Sequence, residues 1–183
     1  MFQRVRTHWK IVIGLLFIVG ILAVVTYSFV SPRGYFSGLK NDLKVIDPGK
    51  DAPYTDLEGN VINLEKFKGK PLIVNSWATW MPFSATELPL LASVTNEHKD
   101  AVTVLAINRM EQVPVIRSFM SVYAIPDSIR FVVDTTDHFY KAVGGYAMPE
   151  TVFYDKDGVI VMHKRGVLTK DELEQMIQTL LTK

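Results

Sequence analysis

The segment Val74–Pro89, VNSWATWMPFSATELP, decides how the chain folds. It extends the apolar run Pro71–Trp77 (PLIVNSW), which shows no polar alternation and so suits a strand buried on both faces. Pro82 fits the first turn of a helix, where its missing N–H leaves no hydrogen bond unmade. Leu88, Leu91 and Ala92 then supply an apolar helix face, and Pro89 is expected to kink that helix.

Working outward, Asp56-Leu57-Glu58-Gly59-Asn60 is a turn between two short extended runs, with Val61, Ile62 and Leu64 beyond it. Val102–Ile107 (VTVLAI) reads as a second buried strand. A helix over Val113–Tyr123 follows, with Val115, Phe119 and Val122 on one side. Phe131–Asp134 is a short apolar strand, and Asp137–Val143 a short helix ended by Gly144-Gly145. Thr151–Asp155 and Val159–His163 flank Lys156-Asp157-Gly158, a hairpin signal. Thr169 and Glu172 have the spacing of a capping box, and Leu173, Met176, Ile177 and Leu180 form the stripe of a last helix. Strands alternating with helices, then a hairpin and a helix, predict an α/β sandwich of one sheet with helices on both faces.

The motif resembles the active-site segment of membrane-anchored, extracytoplasmic thioredoxin-like proteins of the TlpA/ResA type, grouped with the redoxins. In that family it runs N-x-W-A-T-W-C-x-x-C-x-x-E-x-P. Asn75, Trp77, Ala78, Thr79, Trp80, Glu87 and Pro89 match in type and spacing. Ala52-Pro53 through Gly59 is similar to the family's opening hairpin, and Lys68-Gly69-Lys70 to its lead into the central strand. Gly145–Thr151 is similar to the loop that carries its cis-proline, at Pro149. The resemblance implies a thioredoxin fold over residues 48–183, with a central mixed sheet, helices on both faces and an N-terminal β-hairpin, and a thiol-disulfide oxidoreductase ancestry.

The chain departs from the family at the reactive atoms. It contains no cysteine, and the two thiol positions hold Met81 and Ser84. Disulfide exchange needs a thiolate to attack and a second thiol to resolve the mixed intermediate. A thioether and a hydroxyl do neither. The resemblance instead implies a retained peptide-binding face, with Trp77, Trp80, Met81, Pro82, Phe83, Ser84, Glu87, Met148 and Pro149 as its candidate residues. Relaxed selection, with apolar groups filling an abandoned thiol site, is the competing account of Met81 and Phe83. Glu87 without thiols reads as a solvated carboxylate in a first helical turn, and Asn75 as a buried amide in need of partners. Ser84 lacks a G-x-S-x-G elbow and a neighbouring histidine, so nucleophilic catalysis has little support. His8, His98, His138 and His163 show no ligand spacing, and no phosphate loop is present, so neither a metal nor a cofactor is expected. Asp134–His138 fits strand-end and helix-cap roles, and Asp155–Gly158 a turn rather than a calcium loop.

The charge distribution addresses location and partners. Residues 1–10 carry Arg4, Arg6 and Lys10 without an acid, and residues 11–30 are uncharged. The remainder holds seventeen Lys and Arg against nineteen Asp and Glu, a net charge of −2 that gives no reason to bind nucleic acid. Ile11–Val30, a 20-residue stretch without a charged or strongly polar side chain, would span about 30 Å as a helix. It is longer than a cleavable signal core, and Tyr27–Val30 offers no small-residue cleavage site. The expected layout is a cytoplasmic tail (1–10), a signal-anchor crossing the membrane once (11–30), a tether (31–47) and an extracytoplasmic domain (48–183). The expected role is a redox-inactive, pseudoenzyme-like module that binds a protein or peptide. An enzyme of non-thiol chemistry at the same cleft, and a structural subunit of a membrane complex, are the alternatives.

Overall fold

The computed structural model describes residues 54–98 and 101–182. The tail, the anchor, the tether and the first residues of the domain lie outside them. No helix among the described residues is long and apolar enough to cross a membrane.

The chain folds as β1 (Tyr54–Thr55), β2 (Val61–Ile62), a 3₁₀ turn (Leu64–Phe67), β3 (Leu72–Trp77), α1 (Ser84–His98), β4 (Thr103–Arg109), α2 (Val113–Val122), β5 (Arg130–Asp134), α3 (His138–Ala142), β6 (Glu150–Tyr154), β7 (Ile160–Arg165) and α4 (Lys170–Leu181). These strands form a seven-stranded sheet in the order β2-β1-β5-β4-β3-β6-β7. The three central strands β5, β4 and β3 are parallel; β6, β7, β1 and β2 join antiparallel, so the sheet is mixed as expected.

Every residue of β3 is buried, which accounts for its unbroken apolar pattern. Alternate residues serve opposite faces. Ile73, Trp77, Val104, Ala106 and Phe153 pack with Leu88 and Leu91 of α1, Ile116 of α2 and Leu173 and Ile177 of α4. Val74, Leu105, Ile107 and Val152 pack with Leu64 of the 3₁₀ turn and Phe139 of α3. The capping box closes as predicted, with Thr169 N donating to Glu172 at 2.9 Å and Glu172 N to Thr169 Oγ at 3.2 Å. The Asp155 carboxylate accepts from Asp157 N and Val159 N at 3.0 and 2.9 Å, the hydrogen bonds of a side-chain-stabilised turn.

Two local expectations need correction. Pro82 lies two residues ahead of α1, in the turn that leads into it, and α1 runs from Ser84 through Pro89 to His98. Helix α2 turns Ile116 inward, with Val113 and Met120 beside it, and leaves Val115 and Val122 exposed. Its apolar residues share about half of the circumference, and Ile116, near the middle of that half, is the one buried. The strand-end and helix-cap roles read for Asp134–His138 are met by Asp134, which ends β5 and whose Oδ2 accepts from Phe139 N at 2.8 Å, while Asp137 makes no side-chain cap bond.

Candidate functional site

The register brings the carboxyl ends of β3, β4 and β5 and the start of β6 side by side. Trp77 pairs with Asn108, Arg109 with Asp134 and Ser76 with Glu150. Open α/β sheets place their sites at this edge. The loops around Met81, Met110 and Met148 gather here.

The first loop is the motif turn. Met81 N donates to Ala78 O at 3.2 Å, and Ser84 N donates to Met81 O at 3.1 Å. Ser84 Oγ donates to Ala78 O at 2.8 Å, and the residue is 1% exposed. Its hydroxyl is both committed and covered. Trp80 is 59% exposed and Phe83 48%, with Pro82 exposed between them and Met81 half-buried. The turn is steadied from β4: Glu111 accepts from Thr79 N and Asn108 Nδ2, both at 2.7 Å, and from the Thr79 hydroxyl.

The second loop runs from Gly144 to Pro149 and contains the cis peptide Met148–Pro149. Met148 is half-buried and Pro149 buried, while Tyr146 beside them is 77% exposed. Gly145 is required by a close approach, since a Cβ there would fall 2.5 Å from the Tyr140 ring. The Arg109 guanidinium lies 3.4 Å from the centroid of that ring and binds Asp137 through two 2.7 Å hydrogen bonds.

Beneath the turn lies a buried polar group. Asn75 Nδ2 donates to Glu87 at 3.0 Å and to the Thr151 hydroxyl at 2.9 Å, and Leu168 N donates to the other Glu87 oxygen at 3.0 Å. Asn75 thereby finds partners for its Nδ2, whereas its buried Oδ1 accepts no hydrogen bond among the described residues. Glu87 does occupy the first turn of α1, but it is buried rather than solvated. Burial pushes its carboxyl above the usual range, against the opposing pull of Leu168 N–H, Asn75 and the Lys164 charge.

The nine candidate residues therefore separate into two layers. Trp80, Pro82 and Phe83 stand on the surface with Met81 and Met148 half-covered, whereas Trp77, Ser84, Glu87 and Pro149 lie beneath. Trp77 is a core residue, packed 5.5 Å from Phe119 and 5.8 Å from Phe131 between ring centroids. Sequence reasoning missed Glu111 and Glu150, which hold the two loops, because their partners are distant in sequence or in backbone N–H groups. It also gave no sign that Glu97, His98 and Glu174 bring ligand atoms within 4.8 Å of one another. That group includes the last residues of α1, away from the motif.

A redoxin family model matches residues 44–180. The thiol-disulfide oxidoreductase ResA of Bacillus cereus (strain ATCC 10987 / NRS 248) is 30% identical over 170 residues, which cover 90% of this chain and 95% of that protein. ResA of Bacillus anthracis is 31% identical over 169 residues, covering 87% and 92%. Among solved structures, a secreted Mycobacterium tuberculosis disulfide oxidoreductase homologous to E. coli DsbE superposes with a TM-score of 0.63 at 26% identity, over 73% of this chain and 98% of that one. The mixed oxidized and reduced structure of MTB dsbF gives a TM-score of 0.66 at 25% identity, over 73% and 97%. On that likeness in sequence and fold the chain belongs to the redoxin family, with a thioredoxin-like domain.

Proposed function

We propose that this domain is a redox-inactive binding module that holds a peptide or protein segment on the face built by the Trp80–Phe83 turn and the Met148–Pro149 loop. One observation carries the reading. The family's motif frame is retained around an exposed Trp80 and Phe83, while Met81 and Ser84 stand where thiols would react. With no cysteine in 183 residues, the chain has no thiolate with which to attack a disulfide. An exposed apolar patch on a folded domain marks an interaction surface, and methionine adapts its shape to varied partners. The committed Ser84 hydroxyl counts against an alternative hydrolytic chemistry at the same cleft.

The apolar run at residues 11–30 supports placing this module outside the cytoplasm on a single membrane anchor. Protease added to intact cells then digests residues 31–183, and protection of that region contradicts the orientation.

The binding reading is tested with the full chain in detergent micelles and with reduced, carboxymethylated α-lactalbumin, an unfolded protein whose thiols are blocked. Saturable binding that falls at least tenfold in the Trp80→Ala, Phe83→Ala variant supports the reading. Absence of binding, or equal binding by both chains, overturns it.

A further inference from the structure

Helix α1 starts at the motif turn and ends at His98, so its last residues stand about 21 Å along the helix axis from Ser84. There they meet the first half of α4. His98 Nε2 lies 3.0 Å from Glu174 Oε2. Glu97 Oε1 accepts from Ser93 Oγ at 3.1 Å and lies 3.6 Å from Lys170 Nζ. One ligand atom from each of Glu97, His98 and Glu174 falls within 4.8 Å of the other two. His98 and Glu174 are 76 positions apart along the chain, which is why histidine spacing in the sequence gave no sign of the group.

A hydrogen bond between two helices and a surface ion pair account for part of this arrangement, but they leave one atom over. Glu174 Oε1 is covered from solvent and accepts no hydrogen bond among the described residues. A covered carboxylate oxygen with nothing to accept is costly, and a bound cation is a group that satisfies it. The surrounding charge favours the same occupant. Two carboxylates beside a neutral imidazole sum to −2, and the carboxyl end of α1 adds the negative end of its dipole. Ser93 and Lys170 hold the Glu97 carboxyl below its usual range, so it remains an anion. Lys170 compensates on one flank alone, and its side chain is more than half exposed and able to turn to water.

The donor set chooses among cations. An imidazole nitrogen with carboxylate oxygens suits Zn2+, whereas Mg2+ and Ca2+ take oxygen ligands. Three protein ligands leave the fourth corner of a tetrahedron to water.

We propose that Glu97, His98 and Glu174 form a Zn2+ site that ties the carboxyl end of α1 to α4. Binding uses the lone pair of His98 Nε2, so the ring proton shifts to Nδ1, and the hydrogen bond to Glu174 gives way to a metal bond from each side chain. The site lies at the far end of α1 from the motif turn and is independent of the binding face.

The test uses the full chain in detergent micelles, stripped with EDTA, dialysed, and titrated calorimetrically with zinc chloride. One Zn2+ per chain is expected to bind, with an affinity that a hundredfold excess of Mg2+ changes by less than threefold. His98→Gln and Glu174→Gln are each expected to weaken binding at least tenfold, in chains whose fold is confirmed by circular dichroism. Glu97→Gln, on an exposed side chain, is expected to do the same, and His138→Gln, away from the group, to bind within threefold of the unaltered chain. Proton–nitrogen correlation spectra of the imidazoles are expected to place the His98 proton on Nδ1 once Zn2+ is added. Absence of saturable binding by the unaltered chain, or unchanged binding in folded His98→Gln or Glu97→Gln, overturns the site. Displacement of Zn2+ by an equal concentration of Mg2+ overturns its assignment to that ion.

Discussion

The Ser84 hydroxyl donates to the Ala78 carbonyl oxygen at 2.8 Å and closes the motif turn upon itself. The position that the family gives to a resolving thiol has become part of the scaffold here. What the site lacks is therefore a pair of thiols, a thioether at Met81 and a hydroxyl at Ser84 standing in their places. The turn still leads into the amino end of α1, whose dipole favours a thiolate, and the cis-proline loop is in place.

It follows that the double variant Met81→Cys, Ser84→Cys regains thiol-disulfide exchange. The expected outcome is an intramolecular disulfide and measurable reduction of insulin with dithiothreitol as electron source. The unaltered chain, assayed beside it, stays at the no-protein blank. Activity in the unaltered chain contradicts the proposed loss of redox chemistry.

Glu87 sets a pH dependence whose sign is fixed by the direction of its shift. Its carboxyl is raised above the ordinary value of 4.5 by burial, so the neutral form suits the folded state. The stability this contributes is fully present below that ordinary value and is lost as pH rises through the folded one. Glu87→Gln removes the titration, and its unfolding free energy should vary less between pH 4 and 7 than that of the unaltered chain. Glu87→Ala strands Leu168 N–H and one of the two Asn75 Nδ2 hydrogens in the interior and should cost about 1–3 kcal/mol. Urea unfolding across a pH series measures both.

The two sides of α2 predict opposite responses. Ile116 is fully buried against β4 and α1 residues, and Ile116→Ala should cost about 2–5 kcal/mol. Val122 is 73% exposed, and Val122→Ser should change stability by less than about 0.5 kcal/mol. Equal losses in thermal melts would place the helix the other way round.

That contrast shows where the sequence was legible. Its strands announced themselves through runs such as PLIVNSW, which only a sheet covered on both faces accommodates. The hairpin and the last helix were marked by local rules, an Asp-Gly turn and a capping box, whose partners lie within a few residues. Helix α2 gave type, length and an apolar side, but Val115, Ile116, Phe119 and Val122 share that side, and what packs against it decides that Ile116 is the deepest. At the site, Asn75, Glu87 and Pro149 were visible through the motif, but depth was not. Whether Trp77 or Trp80 faces solvent depends on where the strand ends, and three residues separate a core side chain from a displayed one. Glu150 and His163 were invisible for a different reason: they meet only because β6 and β7 are paired, thirteen positions apart along the chain.

The central claim is that the old reactive face now binds. It is tested most directly by placing a photoreactive amino acid at Phe83 in the full chain, and in a second chain at Asp157 in the distant β6–β7 turn, and irradiating native membranes. The account predicts a discrete crosslinked partner from position 83 that is lost when Trp80→Ala is added, and none from position 157. A partner captured from position 157 and not from position 83 would contradict it.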